Sequence, residues 1–214
     1  MRVRAERVAV TGAHGPLVAA TSLEVGPGQL AVVAGEPNDG HTAFGLVLTG
    51  RLAPSAGTVE PDASRLRAHS ALVDAPGVSE PEPALRVADV VAEELALAGR
   101  RDRRADVAGV LARYGLDADT RFEAVAPAAR TALLAGLAAE RPGVELLVLD
   151  TPDRHSSDHR TWWETALSLA RGGLAVVVLC GAGTARELPH PCARLGSSDQ
   201  PTPLDTAPPL ETTP

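Results

Sequence analysis

Short apolar pieces broken by glycine and proline open the chain: Val8-Ala9-Val10, Leu17-Val18-Ala19 and Ser22-Leu23-Glu24-Val25. Gly12, Gly15-Pro16 and Gly26-Pro27-Gly28 separate them, which predicts two or three short antiparallel strands. Leu30 to Ala34 is apolar without a break, the pattern of a strand buried on both faces. A Gly/Pro/Asn/Asp loop over 35–40 follows, and the spacing of Phe44, Val47, Leu48 and Leu52 predicts a helix from Thr42 to Leu52. Pro54 to Gly57 turns the chain, Thr58-Val59 and Ala71 to Val73 are candidate strands, and Pro76 to Pro83 is a loop.

Helical spacing returns from Val87 to Gly99 and from Ala105 to Tyr114, the second helix ended by Gly115. Pro127 to Ala139 is an Ala/Leu-rich helix that must stop before Pro142. Glu145 to Asp150 reads as a buried strand ending in a carboxylate, Thr161 to Arg171 as a helix, and Leu174 to Cys180 as a third buried strand. Buried strands separated by helices define an α/β fold with a mainly parallel core sheet. N-terminal antiparallel strands accompany that sheet, and a helical subdomain is inserted. The expected division is a core of 1–83 and 141–195, a helical subdomain of 84–140, and a disordered Pro/Thr-rich tail of 196–214, which has almost nothing to bury.

Composition narrows the function classes. The 214 residues are 44% hydrophobic and 22% charged, ordinary for a soluble globular protein. A net charge of −7 argues against nucleic acid as a partner, because phosphate binding needs dense cationic surface. The one basic run, Arg100 to Arg104, is expected on a solvated helix face. No apolar stretch reaches the roughly 20 residues that span a bilayer, and no apolar segment follows the first charges, so the expected location is cytoplasmic. Cys180 and Cys192 do not make a disulfide framework or a metal site.

The chemistry concentrates at Gly35-x4-Gly40-x-Thr42, the spacing of a phosphate-binding P-loop between a strand and a helix. His41 stands where that pattern has a lysine, and the chain contains none: all 20 of its Lys+Arg residues are arginine. Asn38 suits a left-handed turn better than other non-glycine residues. Glu36 and Asp39 put carboxylates beside the expected phosphates. Downstream, Leu146 to Asp150 delivers a carboxylate to the metal side of a nucleotide, a Walker B arrangement.

With Leu23-Glu24-Val25 and Gly28-Gln29 ahead of the loop, and Thr49 to Val59 behind its helix, residues 5–192 resemble the nucleotide-binding subunit of an ABC (ATP-binding cassette) transporter. The resemblance implies ATP held by Gly35, Asn38, Gly40, His41, Thr42 and Ala43, and Mg²⁺ held by Thr42 and Asp150. It also implies a dimer with itself or a sister ATPase subunit, and a separately encoded integral-membrane permease that keeps the protein at the inner face of the membrane. Several of the family's functional positions are changed. Thr151 replaces the glutamate that polarises water, and Glu123 to Pro127 replaces Leu-Ser-Gly-Gly-Gln. Near Gly181 there is no switch histidine, with His190 too far along; Asp74-Ala75 stands for the Q-loop glutamine, and His14 is the best counterpart of the adenine-stacking aromatic.

ATP and Mg²⁺ are therefore expected to be weak or vestigial cofactors, and no catalytic residue is assigned. The resemblance leaves two readings open: a divergent ATP-binding subunit with impaired hydrolysis, or a scaffold that holds a permease or sister subunit without nucleotide. Another P-loop kinase or phosphotransferase is disfavoured by the helical insert and the missing lysine. Of the remaining features, Trp162-Trp163 reads as one core ring and one half-exposed ring. His155 and His159, beside Asp153 and Asp158, read as a solvated loop rather than a metal cluster, and Tyr114 and Phe122 as subdomain core.

Overall fold

The computed structural model describes residues 1–101 and 103–206. Two strands, β1 (Val3–Gly12) and β2 (Gly15–Val25), form a hairpin; β3 (Gln29–Gly35) then leads through a loop into α1 (His41–Leu48). Next come β4 (Ala56–Glu60), α2 (Ala63–His69) and β5 (Ser70–Val73), then the helices α3 (Val87–Leu97), α4 (Arg104–Tyr114) and α5 (Pro127–Ala139). The chain closes with β6 (Leu146–Asp150), α6 (Arg160–Arg171), β7 (Ala175–Gly181), a single turn α7 (Ala182–Ala185), β8 (Ala193–Arg194) and β9 (Leu204–Asp205).

One sheet is antiparallel, in the order β2-β1-β4. The other runs β5-β6-β7-β3-β8 in parallel, with β9 added antiparallel to β3. The alternation of the pleat explains the unbroken apolar runs of the central strands. Val33, Val148 and Val177 face β1, β2 and α1, whereas Val32, Leu147 and Val176 face α3, α5 and α6. Both faces are covered, so each residue of β6 is buried.

Several local expectations are corrected. The opening pieces are two long strands, because backbone pairing runs through the irregular register between Ala5 and Val10. The first helix ends at Leu48 rather than Leu52: Gly50 has φ 68, and the Thr49 hydroxyl bonds back to the Gly45 carbonyl at 2.8 Å. α2 was not foreseen. Its start is fixed by Asp62, whose side chain accepts from the Ser64 and Arg65 amides, while Leu66 is its one buried residue. Trp163 is buried along with Trp162, the two rings edge to face at 6.0 Å, instead of half exposed. Phe122 is fully buried and Tyr114 packs partly buried against the same core.

The expected structureless tail is also corrected for 196–206. Ser22 N–H donates to the Ser197 carbonyl, β9 pairs with Gln29 and Leu30, and the Gln200 side chain bonds both backbone groups of Arg194. These are backbone and amide bonds along an otherwise unpaired strand edge, which need few apolar side chains. The rest of the expected tail, 207–214, lies outside the described residues. Among the described residues no helix is long and apolar enough to cross a membrane.

Candidate functional site

β3, β6 and β7 lie side by side and end together, which brings the 36–40 loop, Asp150 and Gly181 to one edge of the parallel sheet. That edge is where ligands bind in folds of this kind. Gly40 has φ 86, and a Cβ there would come 1.9 Å from the Leu17 carbonyl oxygen, so β2 presses on the loop and only glycine fits. Asn38 also takes a left-handed conformation, at φ 75. The Phe44 N–H donates to the Gly40 carbonyl at 2.9 Å and starts α1. The Asp39 carboxylate turns inward and accepts the Glu36 N–H at 2.7 Å.

His41 is held away from a lysine's task. Its Nε2 lies 3.0 Å from the Cys180 carbonyl, which can only accept, so Nε2 carries the proton. The ring rests on Gly35, where a Cβ would sit 2.8 Å from Nε2. The imidazole is thus spent on tying α1 to the end of β7. Thr42 and Ala43 begin α1 at intermediate burial.

Asp150 is 1% exposed, and among the described residues neither of its carboxylate oxygens has a hydrogen bond of good geometry. Burial pushes its pKa up; the Thr42 and Thr151 hydroxyls beside it, and the charges of Arg154 and His41, pull the other way. A buried carboxylate approached by two hydroxyls, with no well-formed hydrogen bond to either oxygen, is rare enough to require a reason. A hard cation ligated by oxygen, with the Thr42 hydroxyl as a neighbouring ligand, fits these donors. Thr151 follows at φ 45, a costly conformation for a β-branched residue, with its N–H on the Leu179 carbonyl at 2.9 Å.

The remaining sequence candidates are placed as follows. Glu123 and Ala124 lie in a 3-10 turn ahead of α5, and Pro127 begins that helix with no side-chain cap. The Gly181 N–H and the Thr184 hydroxyl both donate to Asp153, each at 2.9 Å. His190 lines a cavity of about 560 Å³ that also takes in Gly35, Glu36 and Asp39, so the fold brings it closer to the loop than its sequence position implied. His14 stands in the turn between β1 and β2.

A buried charge cluster escaped sequence reasoning. Asp74, at φ 57 just after β5, accepts from Arg130 of α5 through Nε at 2.8 Å and Nη2 at 2.6 Å. Arg154 lies 3.0 Å from both Asp74 and Glu80, and His155 Nε2 is 3.2 Å from Asp74. The Arg130 guanidinium also stacks on Phe122, 4.5 Å from the ring centre. His155 therefore joins Asp74, not Asp153 or Asp158; Asp158 instead pairs with Arg160, which holds its pKa down at about 2. These positions are spread over the chain from 74 to 155, so no local spacing announced them.

No protein-family model matches the chain, and no curated protein matches it in sequence. Solved structures do match. One is an ABC transporter ATP-binding protein from Pyrococcus furiosus, with TM-score 0.66 and 14% identity over 91% of this chain and 96% of that one. A nucleotide-free ATP-binding cassette from an ABC transporter aligns with TM-score 0.61 and 15% identity, over 84% of this chain and 81% of that one. An ATP-binding subunit of an ABC transporter aligns with TM-score 0.65 and 12% identity, over 96% of this chain and 90% of that one. The fold is α/β, with an antiparallel N-terminal sheet and a parallel core sheet. It is the fold of the ATP-binding cassette of ABC transporters.

Proposed function

We propose that this chain is a divergent ABC-type ATP-binding subunit that binds Mg-ATP weakly, hydrolyses it poorly or not at all, and works by coupling to a membrane permease. The observation that carries the reading is the contrast at the loop. Asp150 and Thr42 retain a corner suited to Mg²⁺, and the amides of the loop and of the start of α1 suit a phosphate, while His41 is pinned to the Cys180 carbonyl. When bound, Mg²⁺ would neutralise phosphate charge; this chain's own part is to cradle the phosphates with backbone amides. Thr151 has no carboxylate to polarise water.

A cleft between the core and the helical block supports the permease half of the reading. Val78 and Leu97 are among the exposed large apolar residues, and they line it with Glu80, Glu82 and Glu93. Apolar side chains in a carboxylate-rich cleft suit a partner segment that is apolar with a basic flank.

Two assays test the reading. ATP turnover by the full chain is expected at background, and a turnover abolished by Asp150→Asn would contradict it. Thermal unfolding with millimolar Mg-ATP should show a small shift, since ligand near its Kd adds about 0.4 kcal/mol, against about 2.7 kcal/mol at 100 times Kd. No shift at all favours the second reading, a scaffold that uses no nucleotide. That reading draws support from the Asp74–Arg130 pair, which ties the helical block to the core with charges resident in the chain.

A further inference from the structure

The charge cluster joins segments distant in sequence whose apolar side chains share one core: Asp74 after β5, Glu80 in the following loop, Arg130 on α5, and Arg154 and His155 in the turn after β6. Asp74 and Arg130 are nearly fully buried and paired through both carboxylate oxygens, which fixes direction as well as distance. Arg154 adds anchors to the sheet through the Asp150 and Thr151 carbonyls, at 2.8 Å and 3.4 Å. Ligand atoms of Asp74, Glu80 and His155 lie within 4.8 Å of one another, a spacing that could hold a metal ion. Arg130 already occupies both Asp74 oxygens, however, and a cation would have to displace guanidinium groups.

We propose that this cluster is a latch that fixes the helical block against the carboxyl edge of the core sheet without bound nucleotide, and that protonation of His155 loosens it. With His155 neutral, the carboxylates of Asp74 and Glu80 balance the guanidiniums of Arg130 and Arg154. A proton on His155 adds a positive charge to a partly buried cluster in which, among the described residues, the carboxylates of Asp74 and Glu80 already face guanidiniums. The groups facing the imidazole are Asp74 from the end of β5, Glu80 from the loop after it, Arg130 from α5 and Arg154 from its own turn; burial and the guanidiniums hold its pKa down, against Asp74. The latch concerns the position of α3–α5 and holds whether or not nucleotide binds.

The test is amide hydrogen exchange on the full chain at pH 7.5 and 5.5, corrected for the intrinsic rate, for wild type and His155→Asn. The expected result is a severalfold loss of protection at pH 5.5 in 87–97 and 127–139 relative to 146–150 and 175–181, with the loss absent in His155→Asn. Arg130→Met, which keeps the stem's packing on Phe122 and removes the charge, should lower protection of the same helices at both pH values. Equal changes in helices and strands, or an acid response that survives in His155→Asn, overturn the proposal.

Discussion

Replacing Asp74 by alanine is the sharpest stability test of the buried charge cluster. The carboxylate is 8% exposed and accepts two short bonds from Arg130, with Arg154 at 3.0 Å and His155 at 3.2 Å. Removing it leaves both guanidiniums in place, with Glu80 as their nearest remaining anion, at 3.5 Å from Arg130 and 3.0 Å from Arg154. Stripping one partner from a buried pair costs about 3–5 kcal/mol; because Glu80 keeps part of the compensation, the expectation is the lower end, about 3 kcal/mol. For a domain of this size that is a fall in Tm of roughly 6–12 °C. Urea unfolding should show the midpoint moving with the m-value unchanged. The double variant Asp74→Ala, Arg130→Met removes the stranded charge together with its partner, and should recover most of the loss. A single-variant cost below about 1 kcal/mol, or a double variant worse than both singles added, would refute the reasoning.

Three further outcomes follow from the same geometry. Asp150→Asn should raise Tm in the absence of ligand and abolish any response to Mg²⁺, as differential scanning calorimetry would show. The raised pKa means that the fold disfavours this carboxylate's charge, so wild type gives up stability as pH rises through the ordinary carboxylate range. Gly40→Ala should cost about 2–3 kcal/mol in denaturant unfolding, because φ 86 and the Leu17 carbonyl both oppose a Cβ. For His155 the folded pKa is lowered; its contribution is therefore complete above the ordinary imidazole value of about 6.5 and is lost as pH falls below it, a slope in Tm that His155→Asn should flatten.

The central strands were legible because both faces of the parallel sheet are covered, which leaves unbroken apolar runs at 30–34, 146–149 and 175–180. The turn at 35–40 and the strand end at Asp150 were legible because glycine spacing and an apolar run are local signals. α2 was not, since a surface helix with Leu66 as its one buried residue carries no apolar stripe. Residues 196–206 were misread because a composition poor in apolar groups says nothing about backbone bonds offered to the edge of β3. The Asp74 cluster could not be seen, because an ion pair between positions 56 apart leaves no periodic trace. Reading His41 as unable to stand in for lysine needed only its chemistry; what the structure adds is the Cys180 carbonyl that holds the ring.

Titration calorimetry of Mg-ATP into wild type and His41→Lys most directly tests whether a nucleotide cradle persists without its cation. An ammonium beside phosphate supplies a charged hydrogen bond of about 1.5–3 kcal/mol, so the variant should bind about tenfold tighter or better than a weak wild type. Micromolar binding by wild type, with no gain from the lysine, would contradict the account.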